Sequence, residues 1–141
     1  MTAAYAFRVS EIRWGRLVLA VFGIESLLIL GHFLYMAAFS YLIRPGQDLA
    51  FYQAHAQSSG PYFVIIAGIP VSFLIAKAVL RTLSAEPALS TGSSILLLLL
   101  PVDLGLHGLM GVAIPLIAPV AWAAKWLGVV WATYSTARRA R

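Results

Sequence analysis

The sequence predicts an all-α membrane protein, built as a bundle of four transmembrane helices with both termini on the cytoplasmic side. Hydrophobic residues fill 61% of its 141 positions and charged residues only 11%, whereas about a quarter of the residues in soluble domains are charged. The apolar residues fall into four stretches. Each is close to the roughly 20 residues that a helix needs to cross a hydrocarbon core about 30 Å thick.

Polar and turn-forming residues separate the four predicted spans, which cover about residues 17–42, 61–80, 94–110 and 112–134. Basic residues precede the first span, as in a signal peptide. Its apolar stretch is too long for a signal peptide, however, and no small-residue cleavage site stands out, so we expect it to remain as a span. Residues 1–141 are therefore predicted to form a single integral membrane domain.

The lysines and arginines outside the spans predict the orientation. Eight of them lie at the end where spans one and three begin and spans two and four end, whereas Arg44 lies at the opposite end. By the positive-inside rule, both termini then face the cytoplasm. Topology and contact with anionic lipids account for the formal net charge of +5, so no nucleic-acid partner is expected. The eight residues are Arg8, Arg13, Arg16, Lys77, Arg81, Arg138, Arg139 and Arg141.

The segments between the spans are predicted to be connectors. The longest, residues 44–60, opens with a Pro-Gly turn and closes with Ser-Ser-Gly ahead of Pro61, a residue suited to the first turn of a helix. Within it, residues 49–52 form an amphipathic run expected on the outer membrane surface, and His55 is expected to be a loop histidine near that surface. Residues 81–94 are expected to form an ordinary polar connector.

Small residues on two spans predict close helix packing. Gly105, Gly108 and Gly111 recur at every third position of the third span, and Ser72 and Ala76 are four residues apart on the second. Small side chains let helix backbones approach closely in a membrane, where tight packing takes the place of the hydrophobic effect between helices. We therefore expect both sets to lie at helix contacts.

Five ionisable residues fall inside the predicted spans. They are Glu25 and His32 on the first span, Asp103 and His107 on the third, and Lys125 on the fourth. A charged side chain at the centre of a membrane helix costs roughly 2.5 to 3.5 kcal/mol on insertion scales. We therefore expect these side chains to face the interior of the bundle, where they can pair with one another.

The depths of these residues predict two polar layers. With a rise of about 1.5 Å per residue, Glu25, Asp103 and Lys125 each lie roughly 12 to 15 Å from the cytoplasmic end of their span. His32 follows Glu25 by two turns and His107 follows Asp103 by one turn on the same helix face, which places both histidines near 20 Å. Two carboxylates and one ammonium should therefore share one level, with the imidazoles above them.

Three neighbouring residues extend this prediction. Pro101 removes a backbone hydrogen bond from the third span just before Asp103, which bends the helix and leaves a carbonyl free. Tyr35, one turn past His32, and Ser26, adjacent to Glu25, are candidates for ligand binding together with Lys125.

The charge balance of the lower layer predicts a site for proton exchange. Two carboxylates and one ammonium leave one negative charge, which a proton, a bound cation or a protonated histidine must neutralise. The preferred hypothesis is a site that binds a small amphipathic molecule and moves it with proton coupling, with Glu25, Asp103, His32 and His107 as the proton-exchanging residues.

The chain resembles small multidrug transporters in its four-span layout and first-span glutamate, although the motif around that glutamate is absent.

Two alternatives stay open from the same residues. An intramembrane enzyme would use a carboxylate and a histidine as acid and base on a lipid-like substrate, in an isomerase, epoxide-opening or cyclase reaction. A structural or accessory subunit would use Lys125 paired with a carboxylate only to fix helix register. The sequence does not decide whether the protein is an enzyme.

Metal or haem ligation ranks below these hypotheses. Asp103 and His107 have a spacing that can chelate a metal, and two histidines on facing helices can bind a haem axially. A lysine at the same level disfavours a divalent cation, so neither a metal nor another cofactor is expected.

The segment Ala54 to Gln57 resembles the His-Ala-Asn segment of membrane glutathione- and eicosanoid-metabolising proteins. It lacks the arginine that precedes the histidine in that family and the glutamate that follows it.

The expected partners are the lipid bilayer and a small amphipathic or lipid-like ligand. Small size and simple organisation favour a bacterial-type inner membrane. Self-association into a homo-oligomer is also expected, because four short helices enclose little volume.

Overall fold

The computed structural model describes residues 12–111 and 113–140, with only the backbone of Met110. Arg8, Val112 and Arg141, which enter the predicted topology and spans, lie outside the described residues. Within the described part, the chain forms four helices and no strand. They are α1 (Trp14–Ala38), α2 (Leu49–Leu80), α3 (Ala85–Met110) and α4 (Ala118–Arg139).

Helix α1 begins and ends close to the predicted first span. After Ala38 it continues without a break into a π-helical turn, Phe39–Ile43, which closes with the Arg44 N–H donating to the Phe39 carbonyl at 2.8 Å. The chain then turns through Gly46, whose φ of +79° is a left-handed conformation that glycine adopts without steric cost. The predicted Pro-Gly turn is thus present.

Helix α2 begins at Leu49, so most of the predicted outer connector is helical. The Asp48 side chain caps the helix by accepting a hydrogen bond from the Phe51 N–H at 2.7 Å, which satisfies one of the free donors of the first turn. The prediction that the helix starts at Pro61 was wrong. Pro61 lies inside α2, where the ring costs one backbone hydrogen bond but does not end the helix.

Helix α3 also begins earlier than predicted, at Ala85, so only residues 81–84 connect it to α2. Pro87 lies in its first turn, where the missing N–H leaves no helical bond unmade. The helix ends at Met110 and is capped by Gly111, whose φ of +62° is typical of a glycine after a helix C-terminus. Pro101 lies inside α3, as the sequence places it.

Helix α4 begins at Ala118, with Pro119 in its first turn. The helix therefore begins six residues after the predicted start of the fourth span at residue 112. Of the described helices, three are long and apolar enough to cross a membrane: residues 14–43, 49–80 and 85–109. These apolar helices indicate an integral membrane protein. Helix α4 is more polar, since it carries Lys125 at its centre and Arg138 and Arg139 at its end.

Contacts between helix ends establish an up-and-down bundle. Arg16, near the start of α1, donates to the Val79 carbonyl near the end of α2 at 2.8 Å. Lys77 of α2 donates to Ser135 near the end of α4 at 2.7 Å. Helices α1 and α3 therefore begin, and α2 and α4 end, at one end of the bundle, which we call the basic end because most of the described arginines lie there.

The core is apolar and the outer surface is also apolar. Phe22, Phe33 and Leu97 are each more than half exposed, and so are many other large apolar side chains on the outside of the bundle. An apolar surface of this extent is typical of contact with lipid. The largest buried apolar side chains come from all four helices: Leu17, Val21 and Ile24 of α1, Leu80 of α2, Ile95 and Leu99 of α3, and Val129 of α4.

Small residues bring α2 and α4 together. A Cβ added to Gly128 of α4 would lie 2.9 Å from the Phe73 backbone nitrogen of α2, so only glycine permits this approach. Ser72 and Ala76 of α2 are fully buried, in agreement with the prediction for them. The prediction for α3 was wrong, because a Cβ at Gly105, Gly108 or Gly111 would meet no described atom within 4 Å.

Candidate functional site

Three charged side chains from three helices meet inside the bundle. Lys125 Nζ of α4 lies 2.8 Å from Glu25 Oε1 of α1, and it also forms an ion pair with Asp103 Oδ2 of α3. We call these residues the ion triad. The structure thus brings together the three residues that counting depths along the predicted spans had put at one level.

All three residues of the ion triad are buried. Glu25, Asp103 and Lys125 are 5%, 8% and 2% exposed, which is rare for charged residues unless they are paired. Apolar side chains surround Glu25 on its own helix face, since Val21, Ile24 and Leu28 are also buried. Pairing in such a place strengthens the attraction between opposite charges, but it also removes the water that would otherwise stabilise them.

Helix α2, which contributes no charge to the ion triad, makes room for the Lys125 side chain. A Cβ added to Gly68 of α2 would lie 3.4 Å from Lys125 Cγ and 3.5 Å from its backbone nitrogen. The backbone of α2 therefore packs directly against the Lys125 stem. Lys125 is enclosed by α2 on one side, and its ammonium reaches the carboxylates of α1 and α3 on the other.

The described partners leave the ion triad with an unbalanced charge. If all three groups are ionised, the site carries two negative charges and one positive charge. No other described side chain forms an ion pair with any of its members. Such a site can hold one proton between the carboxylates, or it can bind one cation in place of that proton.

The structure does not place His107 with the carboxylates. Its Nδ1 lies 3.0 Å from the backbone carbonyl oxygen of Asp103, one turn earlier in the same helix. The imidazole therefore donates to its own helix, and the Asp103 side chain turns to Lys125 instead. In the described residues, no histidine forms a hydrogen bond or ion pair with a carboxylate, so the acid–base pair of the enzyme hypothesis is not assembled.

His32 belongs to a separate cluster between α1 and α2, in the half of each helix that lies farther from the basic end. Its Nε2 lies 3.1 Å from Ser59 Oγ, and its ring is 5.6 Å from that of Phe63. Tyr35 Oη lies 2.9 Å from His55 Nε2. We call the group His32, Tyr35, Phe39, His55, Ser59 and Phe63 the histidine–aromatic cluster.

His55 is a central member of this cluster and not a loop residue. Its ring stacks on Phe39 with centroids 3.7 Å apart and planes within 11°, and it lies in α2. The prediction of a loop histidine was wrong because it depended on the wrong start of α2. A sequence signal was available: Asp48 is a strong N-cap residue, and a helix from that point puts His55 and Ser59, four residues apart, on one face.

The remaining predicted site residues divide between the two clusters and the exterior. Tyr35 contacts His55 as described, whereas Ser26 is exposed and faces away from the ion triad, so its proposed part in the site was wrong. In the described residues, no three histidine, aspartate or glutamate side chains come close enough to hold a metal ion. The cation that contacts both Glu25 and Asp103 is the ammonium of Lys125.

Comparison with known proteins returned no match to a family model, to a curated protein or to a solved structure.

Proposed function

We propose that this membrane protein binds a small amphipathic molecule, cationic or polar, and moves it with proton coupling. The site would be the ion triad, in which Glu25 or Asp103 gives up a proton when the ligand binds. The observation that carries the proposal is the sharing of one buried ammonium by two buried carboxylates. That arrangement leaves one place for a proton or for a competing cation.

The energetics of burial support the exchange. An unpaired charge in a poorly hydrated interior costs several kcal/mol, so the ion triad is most stable when a proton or cation neutralises it. A ligand that supplies the positive charge removes the need for the proton, and by linkage each weakens the binding of the other. Coupling of this kind is what proton-linked transport requires.

A structural role is the second candidate, and a specific observation favours it. Both carboxylates contact Lys125 directly, so the ion triad already joins α1, α3 and α4 without any ligand. In this role the charges would fix how the three helices align, and no proton would exchange during function.

We further propose that the basic end faces the cytoplasm, that the membrane is of the bacterial inner type and that the chain self-associates. The described basic residues at that end, including Arg13, Arg16 and Arg81, support the orientation through the positive-inside rule. The small enclosed volume of four helices supports self-association.

Infrared spectroscopy of the reconstituted protein tests the proton directly, without knowledge of the ligand. If the ion triad holds a proton, the spectrum contains the carbonyl stretch of a protonated carboxylic acid, which Glu25→Gln or Asp103→Asn removes. The exposed Glu86 provides the control, since Glu86→Gln should leave the band unchanged. A wild-type spectrum without any protonated carboxyl band would contradict proton exchange and leave the structural role.

The coupling is tested with tetraphenylphosphonium, an amphipathic cation, in weakly buffered detergent solution. We expect its binding to release a proton from the wild type and from Glu86→Gln, and to release none from Glu25→Gln. If Glu25→Gln and Asp103→Asn lower thermal stability but leave proton release on binding intact, the ion triad is not the exchanging site.

A further inference from the structure

A second polar site lies at the basic end, well apart from the ion triad along the bundle. There a cavity of about 140 Å³ opens between the end of α2, the short connector after it and the end of α4. It is lined by Lys77, Arg81, Leu83, Thr136, Arg139 and Ala140. This volume is several times that of one water molecule, which is enough for a small polar group.

Three of the six lining residues are cations, and none is an acid. Lys77 comes from the last turn of α2, Arg81 follows that helix directly, and Arg139 is the last residue of α4. In the described part of the chain, none of the three forms an ion pair, because both ion pairs found there belong to Lys125. The cavity therefore concentrates positive charge that no described acidic side chain neutralises.

One of these cations is held in place by the fold. Lys77 Nζ donates to Ser135 Oγ at 2.7 Å, and Ser135 in turn donates to the Ala132 carbonyl at 3.0 Å. Because an ammonium has three donors, this contact leaves two of them free for a ligand. Lys77 is thus oriented before any ligand binds, which lowers the entropy that binding would cost.

Charge and geometry together select the ligand chemistry. Arginine presents a planar fork of N–H donors that matches the oxygens of a phosphate, and lysine adds a point charge. The cavity lies where the apolar helix α2 ends. In a membrane protein this is the level at which headgroups are expected to meet water, and basic pockets between membrane helices at this level bind anionic headgroups. Leu83 provides an apolar wall on the same side.

We propose that this cavity binds an anionic phosphate group, through Lys77, Arg81 and Arg139. The group belongs to the headgroup of an anionic phospholipid or to a soluble phosphate, which present the same oxygens to the same three cations. The site is separate from the ion triad and does not depend on the function proposed for it.

Lipid binding to the full-length protein in micelles tests the proposal, with phosphatidylglycerol as the anionic probe and phosphatidylcholine as the neutral one. We expect Lys77→Gln/Arg81→Gln/Arg139→Gln to weaken phosphatidylglycerol binding about 100-fold, since each direct contact between a cation and the bound phosphate contributes about five-fold. Binding of phosphatidylcholine should not change.

The chain offers a control with the same loss of charge. Arg13→Gln/Arg44→Gln/Arg138→Gln removes three exposed cations that do not line the cavity, and it should weaken phosphatidylglycerol binding only slightly. Equal weakening by the two triple variants would overturn the proposal, because it would reduce the effect to general charge attraction. Arg81→Gln alone keeps the contact between Lys77 and Ser135, so a loss of about five-fold should appear even if the triple variant folds poorly.

Competition separates the two sources of the phosphate group. Inorganic phosphate is titrated against bound phosphatidylglycerol, with chloride at equal ionic strength as the reference. Displacement by phosphate beyond that by chloride assigns the site to a soluble phosphate, and displacement equal to that by chloride assigns it to the lipid headgroup. If neither phosphatidylglycerol nor inorganic phosphate binds in a way that depends on the three cations, the proposal is wrong.

Discussion

Lys125 Nζ lies 2.8 Å from Glu25 Oε1, although 100 residues separate the two in the chain. The contact joins the first helix to the last, and the ion pair of the same ammonium with Asp103 adds the third. Because all three residues are buried, the position of one helix along the bundle depends on the others. The ion triad therefore constrains the fold whether or not it also exchanges a proton.

Replacing the lysine should be the most damaging single change in the ion triad. Lys125→Met leaves two buried carboxylates beside each other without a cation, and removal of one partner from a buried ion pair costs about 3 to 5 kcal/mol. We expect a loss of this size in the free energy of unfolding, measured by denaturant titration in mixed micelles. The loss should shrink as the pH is lowered, because protonation of the carboxylates removes the unpaired charges.

A fully neutral variant distinguishes charge from packing. Glu25→Gln/Asp103→Asn/Lys125→Met removes all three charges, and replacing a complete buried ion pair is often nearly neutral. Most of the stability lost in Lys125→Met should therefore return. If the triple variant is as unstable as Lys125→Met, shape and not charge explains the loss.

The placement of Glu25, Asp103 and Lys125 at one level could be predicted because the depth of a residue in the bundle follows from its position along its helix. A rise of about 1.5 Å per residue is the same in every helix. The depths were counted from the boundaries of the apolar spans, so the earlier start of α3 at Ala85 does not enter the predicted depth of Asp103. The side-chain partners of the histidines could not be predicted in this way. His107 is close enough to its own helix to bond the Asp103 carbonyl, and depth alone does not distinguish that contact from one across the bundle.

The starts of α2 and α3 were predicted too late for a shared physical reason. Hydropathy locates the apolar part of a helix, but a membrane helix continues into water for as long as its backbone bonds and caps permit. Asp48 caps α2 well before its apolar part begins, and Pro61 does not end it. As a result, Ser59 and His55 were assigned to a connector and their contacts with α1 were missed.

The hydrogen bond between Tyr35 and His55 should stabilise the packing of α1 on α2. Tyr35→Phe keeps the ring but removes the hydroxyl that lies 2.9 Å from His55 Nε2, and we expect a loss of about 0.5 to 1.5 kcal/mol in the free energy of unfolding. Tyr62 is 59% exposed, so Tyr62→Phe should change stability by less than about 0.5 kcal/mol. Equal effects of the two substitutions would argue against a stabilising role for the bond.

Arg16 should stabilise the start of α1 against the end of α2. Its guanidinium donates to the Val79 carbonyl at 2.8 Å and to Thr82 Oγ1 at 2.6 Å, so Arg16→Ala should cost about 1 kcal/mol. Arg13 offers the matched control, because its backbone and not its side chain bonds to Thr91. Thermal unfolding in micelles should show a clear decrease in Tm for Arg16→Ala and little change for Arg13→Ala.

The close approach of α2 and α4 predicts a strong effect from a single methyl group. In Gly128→Ala the added Cβ would lie 2.9 Å from the Phe73 backbone nitrogen and from Ser72 Cβ. Backbone atoms of a helix cannot move aside individually, so the helices must separate, and we expect a loss of about 1 to 3 kcal/mol. Gly105→Ala makes the same chemical change where a Cβ meets no described atom within 4 Å, and the higher helix propensity of alanine should leave stability unchanged or raised by up to about 1 kcal/mol. Denaturant titration of both variants decides the matter: if they lose stability equally, contact between α2 and α4 at Gly128 does not limit the size of the side chain.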